Sequence, residues 1–165
     1  MTIAQLTGPD VSRHQGLIAW PAVKLAGHSF AFCKLTDGTN YGWVTWGRGN
    51  LLAVKAVGLI PGAYHWLDRA HDGAAQARYF VSELNKAVGI PGTLCAVDVE
   101  KDSDGTWPTI GQVRDFAAEW NRLTSELVDA GTELVILPTY TAMLALRAVL
   151  TERGFVQPYW DGATP

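Results

Sequence analysis

Cysteine is scarce in this chain: only Cys33 and Cys95 occur, too few for a disulfide framework. Each lies inside an apolar, strand-like run, so both are expected to be buried free thiols. No apolar stretch reaches the roughly 20 residues of a membrane-spanning helix. The opening Met1-Thr2-Ile3-Ala4-Gln5 has neither the basic start nor the apolar core of a signal peptide. Like charges never cluster into a block, and the net charge is −3, which leaves no footprint for nucleic acid and no reason to expect membrane insertion. The histidines His14, His28, His65 and His71 are scattered, without an HExxH or HxxxH spacing, so no metal site and no cofactor is expected. A GxGxxG or GxxxxGK[ST] loop is missing from the first strand-to-helix junction, which weakens a nucleotide-binding sheet.

What is present is one domain's worth of chain: 165 residues, 48% hydrophobic and 18% charged, a globular composition. Short apolar runs alternate with longer amphipathic ones. Strands are expected over 6–12, 28–36, 59–66, 93–100 and 133–137. Helices are expected over 20–26, 44–57, 71–88, 109–130 and 142–153, with a sixth strand starting at 157–160. Pro21 suits a first helical turn, and Thr109 is a plausible N-cap. Strands alternating with helices imply an α/β fold with a parallel sheet, either a (β/α) TIM-like barrel or a doubly wound sheet. The barrel is preferred, because acids and aromatics gather at the strand C-termini. With about five βα units and the start of a sixth strand, it is expected to be incomplete at its C-terminal side, and residues 1–165 to form a single domain.

The most informative run is Val97-Asp98-Val99-Glu100. Alternate residues of a strand share a face, so Asp98 and Glu100 project to one side. Ionised carboxylates are costly to bury unless paired. Two of them at the end of an apolar strand suggest the rim of an active site, although solvated strand-end acids or a salt-bridge site would look the same. Cys95 has the opposite parity and is expected to face the helices.

These residues fall into motifs that resemble a known family. Asp10-Val11-Ser12-Arg13-His14-Gln15-Gly16-Leu17-Ile18-Ala19-Trp20 is similar to the DVSxxQGxIDW opening of family 25 glycoside hydrolases, the muramidases of the Chalaropsis lysozyme type. Phe30 to Thr39 resembles that family's FxxxKxTEGT strand, Gly58 to Trp66 its GLxxGAYHF strand, Gln76 to Phe80 its QAxxF helix, and Ala96 to Glu100 its DxE strand. The five motifs occur in the family's order over roughly residues 8–100. Beyond them the likeness is general: Pro138-Thr139-Tyr140 and Pro158-Tyr159-Trp160. Asp37 stands where the family more usually has glutamate, Ala19 where it has aspartate, and the family's terminal strands have no counterpart.

The resemblance implies a peptidoglycan hydrolase. It would cleave the β-1,4 bond between N-acetylmuramic acid and N-acetylglucosamine in bacterial glycan strands, acting as a monomer. Glu100 would be the general acid, its pKa raised by Asp98 and Asp10, with Asp98 the ionised partner. Alternate strand residues stand about 6.5–7 Å apart at Cα. That fits poorly with direct attack by Asp98, for which carboxyls about 5–5.5 Å apart are wanted, and better with attack by the substrate's own 2-acetamido group. Asp10 would line the pocket or cap the turn that follows it. Asp37 would share the pocket, with Tyr64, Trp66 and Tyr140 as substrate-binding residues. Lys34 would neutralise the acids or be solvated. Trp43, Trp46, Trp107 and Trp120 are read as core or loop packing.

A non-catalytic wall-binding barrel and a chitinase-like glycosidase are the competing readings. The fuller DxxDxDxE pattern of chitinases is missing, with Ala96 before Asp98. Absence of a leader suits a phage endolysin-like protein that stays cytoplasmic until released to the wall; with a leader missing from the sequence it would be extracellular.

Overall fold

The computed structural model describes residues 6–125 and 134–138. In them, β1 (Asp10–Val11), α1 (Trp20–Leu25), β2 (Phe30–Asp37), α2 (Val44–Ala56), β3 (Ile60–Trp66), α3 (Gly73–Ala87), β4 (Leu94–Val99), α4 (Ile110–Thr124) and β5 (Leu134–Pro138) follow one another. The strands form one sheet in sequential order β1 to β5, every pairing parallel. The α/β reading therefore holds. Among the described residues the sheet is open, with β1 and β5 at its edges. The expected helix over 142–153, the strand at 157–160 and Tyr140 lie outside the described residues.

One sheet face is covered by α2, α3 and α4. Ala31, Cys33 and Leu35 of β2, Ala63 of β3, and Cys95 and Val97 of β4 enter this core with Leu51, Phe80 and Phe116 of the helices. Both thiols are free and buried, and Cys95 does face the helices. Phe80 stacks on Trp120 at 5.6 Å between ring centres, so Trp120 is core. Two glycines let backbones approach: a Cβ at Gly47 would meet the Lys34 carbonyl oxygen at 2.5 Å, and one at Gly73 the Gln112 carbonyl oxygen at 2.2 Å. These fix α2 on β2 and α3 on α4.

Strand β1 is much shorter than the expected 6–12. Pro9 has no N–H for a ladder, and Ser12 starts a capping box at once. Its hydroxyl accepts from the His14 N–H, the Gln15 side chain accepts from the Ser12 N–H at 2.7 Å, and Arg13–Gln15 forms a 3₁₀ turn. The DVSxxQ pattern is thus a cap that turns the chain away just past Asp10. Ser12, not Asp10, performs the capping.

Candidate active site

The sheet's other face carries the chemistry, and its register explains how. Lys34 pairs across β2 and β3 with Tyr64, which pairs with Ala96 of β4. Beyond a register shift between Lys34 and Thr36, Asp37 pairs with Trp66, which pairs with Asp98. Strict alternation would send Asp37 to the helix side, as odd-numbered Ala31, Cys33 and Leu35 are sent. The extra residue, Leu35, moves Thr36 beside His65 and returns Asp37 to the face of Lys34. The two then form an ion pair at 2.7 Å. Glu100 lies one residue past the end of β4 rather than within it.

Asp10, Asp98 and Glu100 influence one another. Asp98 is pushed up furthest, from 3.8 to about 7, by burial first, then by Glu100 and Asp10, with Lys34 opposing. Glu100 is also raised by burial and then by Asp10, and Lys34 again opposes. Asp10 is exposed as a residue, yet its carboxyl is enclosed enough to be raised by desolvation. Asp98 is raised the further because it is the more enclosed of the two. Lys34 is not solvated: its side chain is 13% exposed, bonded to Asp37, and counteracts all three acids. Its ammonium also lies 4.5 Å from the Trp66 ring centre and 5.4 Å from that of Tyr41.

A cleft of about 720 Å³ opens beside the acids, with Lys34, Asp37, Tyr64 and Trp66 in its wall. Asp10, Asp98 and Glu100 border it through Tyr64 and Lys34 rather than line it. Tyr64 is only 8% exposed, so it offers a hydroxyl edge more than a stacking face. Its phenol is driven well above its ordinary value of 10 by burial, then by Asp10 and Asp98, so it stays a proton donor. One face of Trp66 is taken by Lys34. The exposed aromatic of the cleft is Trp43, 50% exposed, which corrects its assignment to packing. Its signal in the sequence is its position three residues after Asn40, in the turn leaving β2.

Beneath the site a buried polar network sets the strand ends. The fully buried His65 bonds through Nδ1 to the Thr36 hydroxyl at 2.8 Å and through Nε2 to the Gln76 Oε1 at 3.0 Å. Gln76 also accepts from the Asp68 N–H and donates to the Asp68 and His71 carbonyls. The Gln76 amide oxygen can only accept, so His65 is protonated at Nε2 and takes the Thr36 hydroxyl proton at Nδ1. Burial drives its pKa down to about 3, so it is neutral. The sequence motifs contain His65 and Gln76 but do not reveal this role.

A parallel α/β sheet with clustered carboxylates at its strand C-termini, beside an open cleft with aromatic walls, supplies the groups that glycoside cleavage requires. The chain belongs to family 25 of the glycosyl hydrolases, whose model matches residues 9–146. It is 49% identical over 76 residues to Lysozyme M1 of Streptomyces globisporus, covering 46% of this chain and 26% of that protein. It is 29% identical over 138 residues to an autolytic lysozyme of Clostridium acetobutylicum, covering 82% and 39%. Among solved structures it resembles a muramidase from Acremonium alcalophilum, with TM-score 0.67, 26% identity and coverage of 81% of this chain and 65% of that one. It also resembles a bacterial lysozyme from Streptomyces coelicolor, with TM-score 0.63, 30% identity and coverage of 83% and 64%. The matches thus span about a quarter to two fifths of the curated relatives' length.

Proposed function

We propose that this chain hydrolyses peptidoglycan as an N-acetylmuramidase, cleaving the β-1,4 bond from N-acetylmuramic acid to N-acetylglucosamine. The observation that carries this is the group of carboxyls Asp10, Asp98 and Glu100 at the strand ends beside the cleft, with Asp98 and Glu100 both raised by burial, in a chain of family 25. A glycosidase needs one protonated acid and one group to stabilise positive charge at the anomeric carbon.

Glu100 is the general acid. It gives its proton to the leaving glycosidic oxygen as the C1–O bond breaks. The carbonyl oxygen of the 2-acetamido group bonds to C1, forming an oxazolinium ion whose charge Asp98 stabilises. Water then attacks C1, returning its proton to Glu100 and freeing the acetamido group. In the free protein burial raises both carboxyls, Asp98 the further. A substrate acetamido N–H donating to Asp98 favours its ionised form, which leaves the proton on Glu100. Asp10 keeps the pair's charge repulsion high, and Lys34 limits it. A covalent sugar–Asp98 adduct would contradict the acetamido route.

The sequential parallel order suits the first strands of a barrel, and the barrel reading belongs to this proposal, as does action by a monomer on glycan strands. Mass spectrometry of the products from reduced peptidoglycan digests tests the reaction. Fragments ending in reducing muramic acid support it. Ends in reducing N-acetylglucosamine would make the chain a glucosaminidase instead.

A further inference from the structure

The cleft contains three strong cations, and two of them have acids. Lys34 is paired with Asp37, and Arg69 with Asp104 at 3.0 Å and Asp102 at 3.9 Å. Arg13 has no acidic partner among the described residues. Its guanidinium instead lies 5.2 Å from the ring centre of Trp43, within the range of a cation–π contact. Both residues line the cleft and both are exposed. The pair is also held from two sides. The Ser12–Gln15 capping box fixes the turn that carries Arg13, and the Trp46 indole N–H donates to the Gly16 carbonyl at 3.1 Å, tying that turn to α2, just behind Trp43.

A half-exposed indole in the cleft wall, with a guanidinium over its ring and no acid paired to that guanidinium among the described residues, matches a sugar ring bearing a carboxylate. The ring packs on the apolar face, and the guanidinium forks onto the carboxylate. We propose that Arg13 and Trp43 form a subsite for the carboxylate-bearing arm at the 3-position of a muramyl unit. Arg13 then makes the chain selective for charged over neutral amino-sugar polymers. This rests on the muramidase reading for its substrate class, but its test does not require turnover.

Calorimetric titration in a Glu100→Gln background prevents cleavage and measures binding alone. Three probes are compared: a peptide-free muramyl tetrasaccharide with free lactyl carboxylates, the same compound with those carboxylates converted to amides, and a tetrasaccharide carrying its peptide stems. Adding Arg13→Gln is expected to weaken binding of a carboxylate-bearing probe by about three- to tenfold, the range of one charge-assisted contact at a wet site. The amidated probe should bind both proteins alike. Loss confined to the free lactyl form assigns the lactyl group, and loss on the stem-bearing form assigns the peptide carboxylates. Trp43→Ala should weaken all three probes, with Trp43→Phe restoring part of the affinity. The proposal is overturned if Arg13→Gln weakens the amidated probe equally, changes nothing, or if the parent binds none of the probes. Failure of the muramidase reading would show separately, as absent reducing-end release from the unmutated chain.

Discussion

Replacing Asp98 by Asn should make the folded protein more stable above neutral pH while removing its activity. The Asp98 carboxyl rises from 3.8 to about 7 on folding, chiefly through burial. A group whose folded pKa lies above its unfolded value binds more protons in the folded state between the two. Its stabilisation is complete below about pH 4 and is lost as pH rises through about 7. At pH 8 the ionised carboxylate therefore opposes folding. The full shift corresponds to about 4 kcal/mol at 1.36 kcal/mol per pH unit. The carboxyl is partly open to water, which screens it, so about 2 kcal/mol is the expected gain for Asp98→Asn at pH 8. Urea unfolding at pH 8 and pH 4.5 measures it. The gap should be about 2 kcal/mol at the higher pH and smaller at the lower, where Asp98 is neutral in the folded protein. Titrating groups distant from Asp98 cancel in the comparison, since they are common to both proteins. A variant less stable than its parent at pH 8, or a gap independent of pH, would refute the claim that Asp98 is held at an energetic cost for function.

The same proton predicts a basic limb in kcat/KM: activity should fall as pH rises through about 7, where the Asp98–Glu100 pair loses its last proton; a rate flat to pH 9 would contradict this. His65 works in the opposite sense. Its folded pKa of about 3 lies below the ordinary 6.5, so stability is full above 6.5 and lost as pH falls toward 3; His65→Phe should reduce that acid sensitivity, read as a shallower decline of Tm from pH 6.5 to pH 4. Gly73→Ala should destabilise by about 1–3 kcal/mol in chemical unfolding, because its methyl group would collide with the Gln112 carbonyl. Ala19→Asp should stabilise by about 0.5–1 kcal/mol, since Ala19 is the N-cap of α1 and supplies no side-chain acceptor; an unchanged Tm would show that the cap is not limiting there.

Strand parity is legible in the sequence because buried parallel strands keep their apolar residues in fixed alternation, which by itself separates Cys95 from Asp98. The end of β4 is not, since nothing in Val99-Glu100 marks where pairing stops. The bulge at Leu35 is hidden for a related reason: an apolar residue inserted in an apolar run leaves no break in hydrophobicity. Yet that insertion decides which way Asp37 points. The aromatics mislead in both directions. Tyr64 and Trp66 look like sugar platforms from their place at a strand end, but one is buried and the other carries Lys34 on its face. Trp43 looks like a packing residue because turns often hold such tryptophans, and only the path of the chain shows it open to the cleft. The rise of Asp98 above its ordinary value depends first on enclosure, a property of the assembled sheet that residue spacing alone does not contain.

Release of reducing ends from purified peptidoglycan by the full chain, compared with Glu100→Gln, tests the central claim most directly. Activity in the parent, with a loss of about a hundredfold or more in the variant, is the expected result for removal of a general acid. Equal release by both proteins would remove Glu100 from the chemistry. A folded parent that sediments with cell walls but releases no ends would mark the chain as a binding domain and contradict the account.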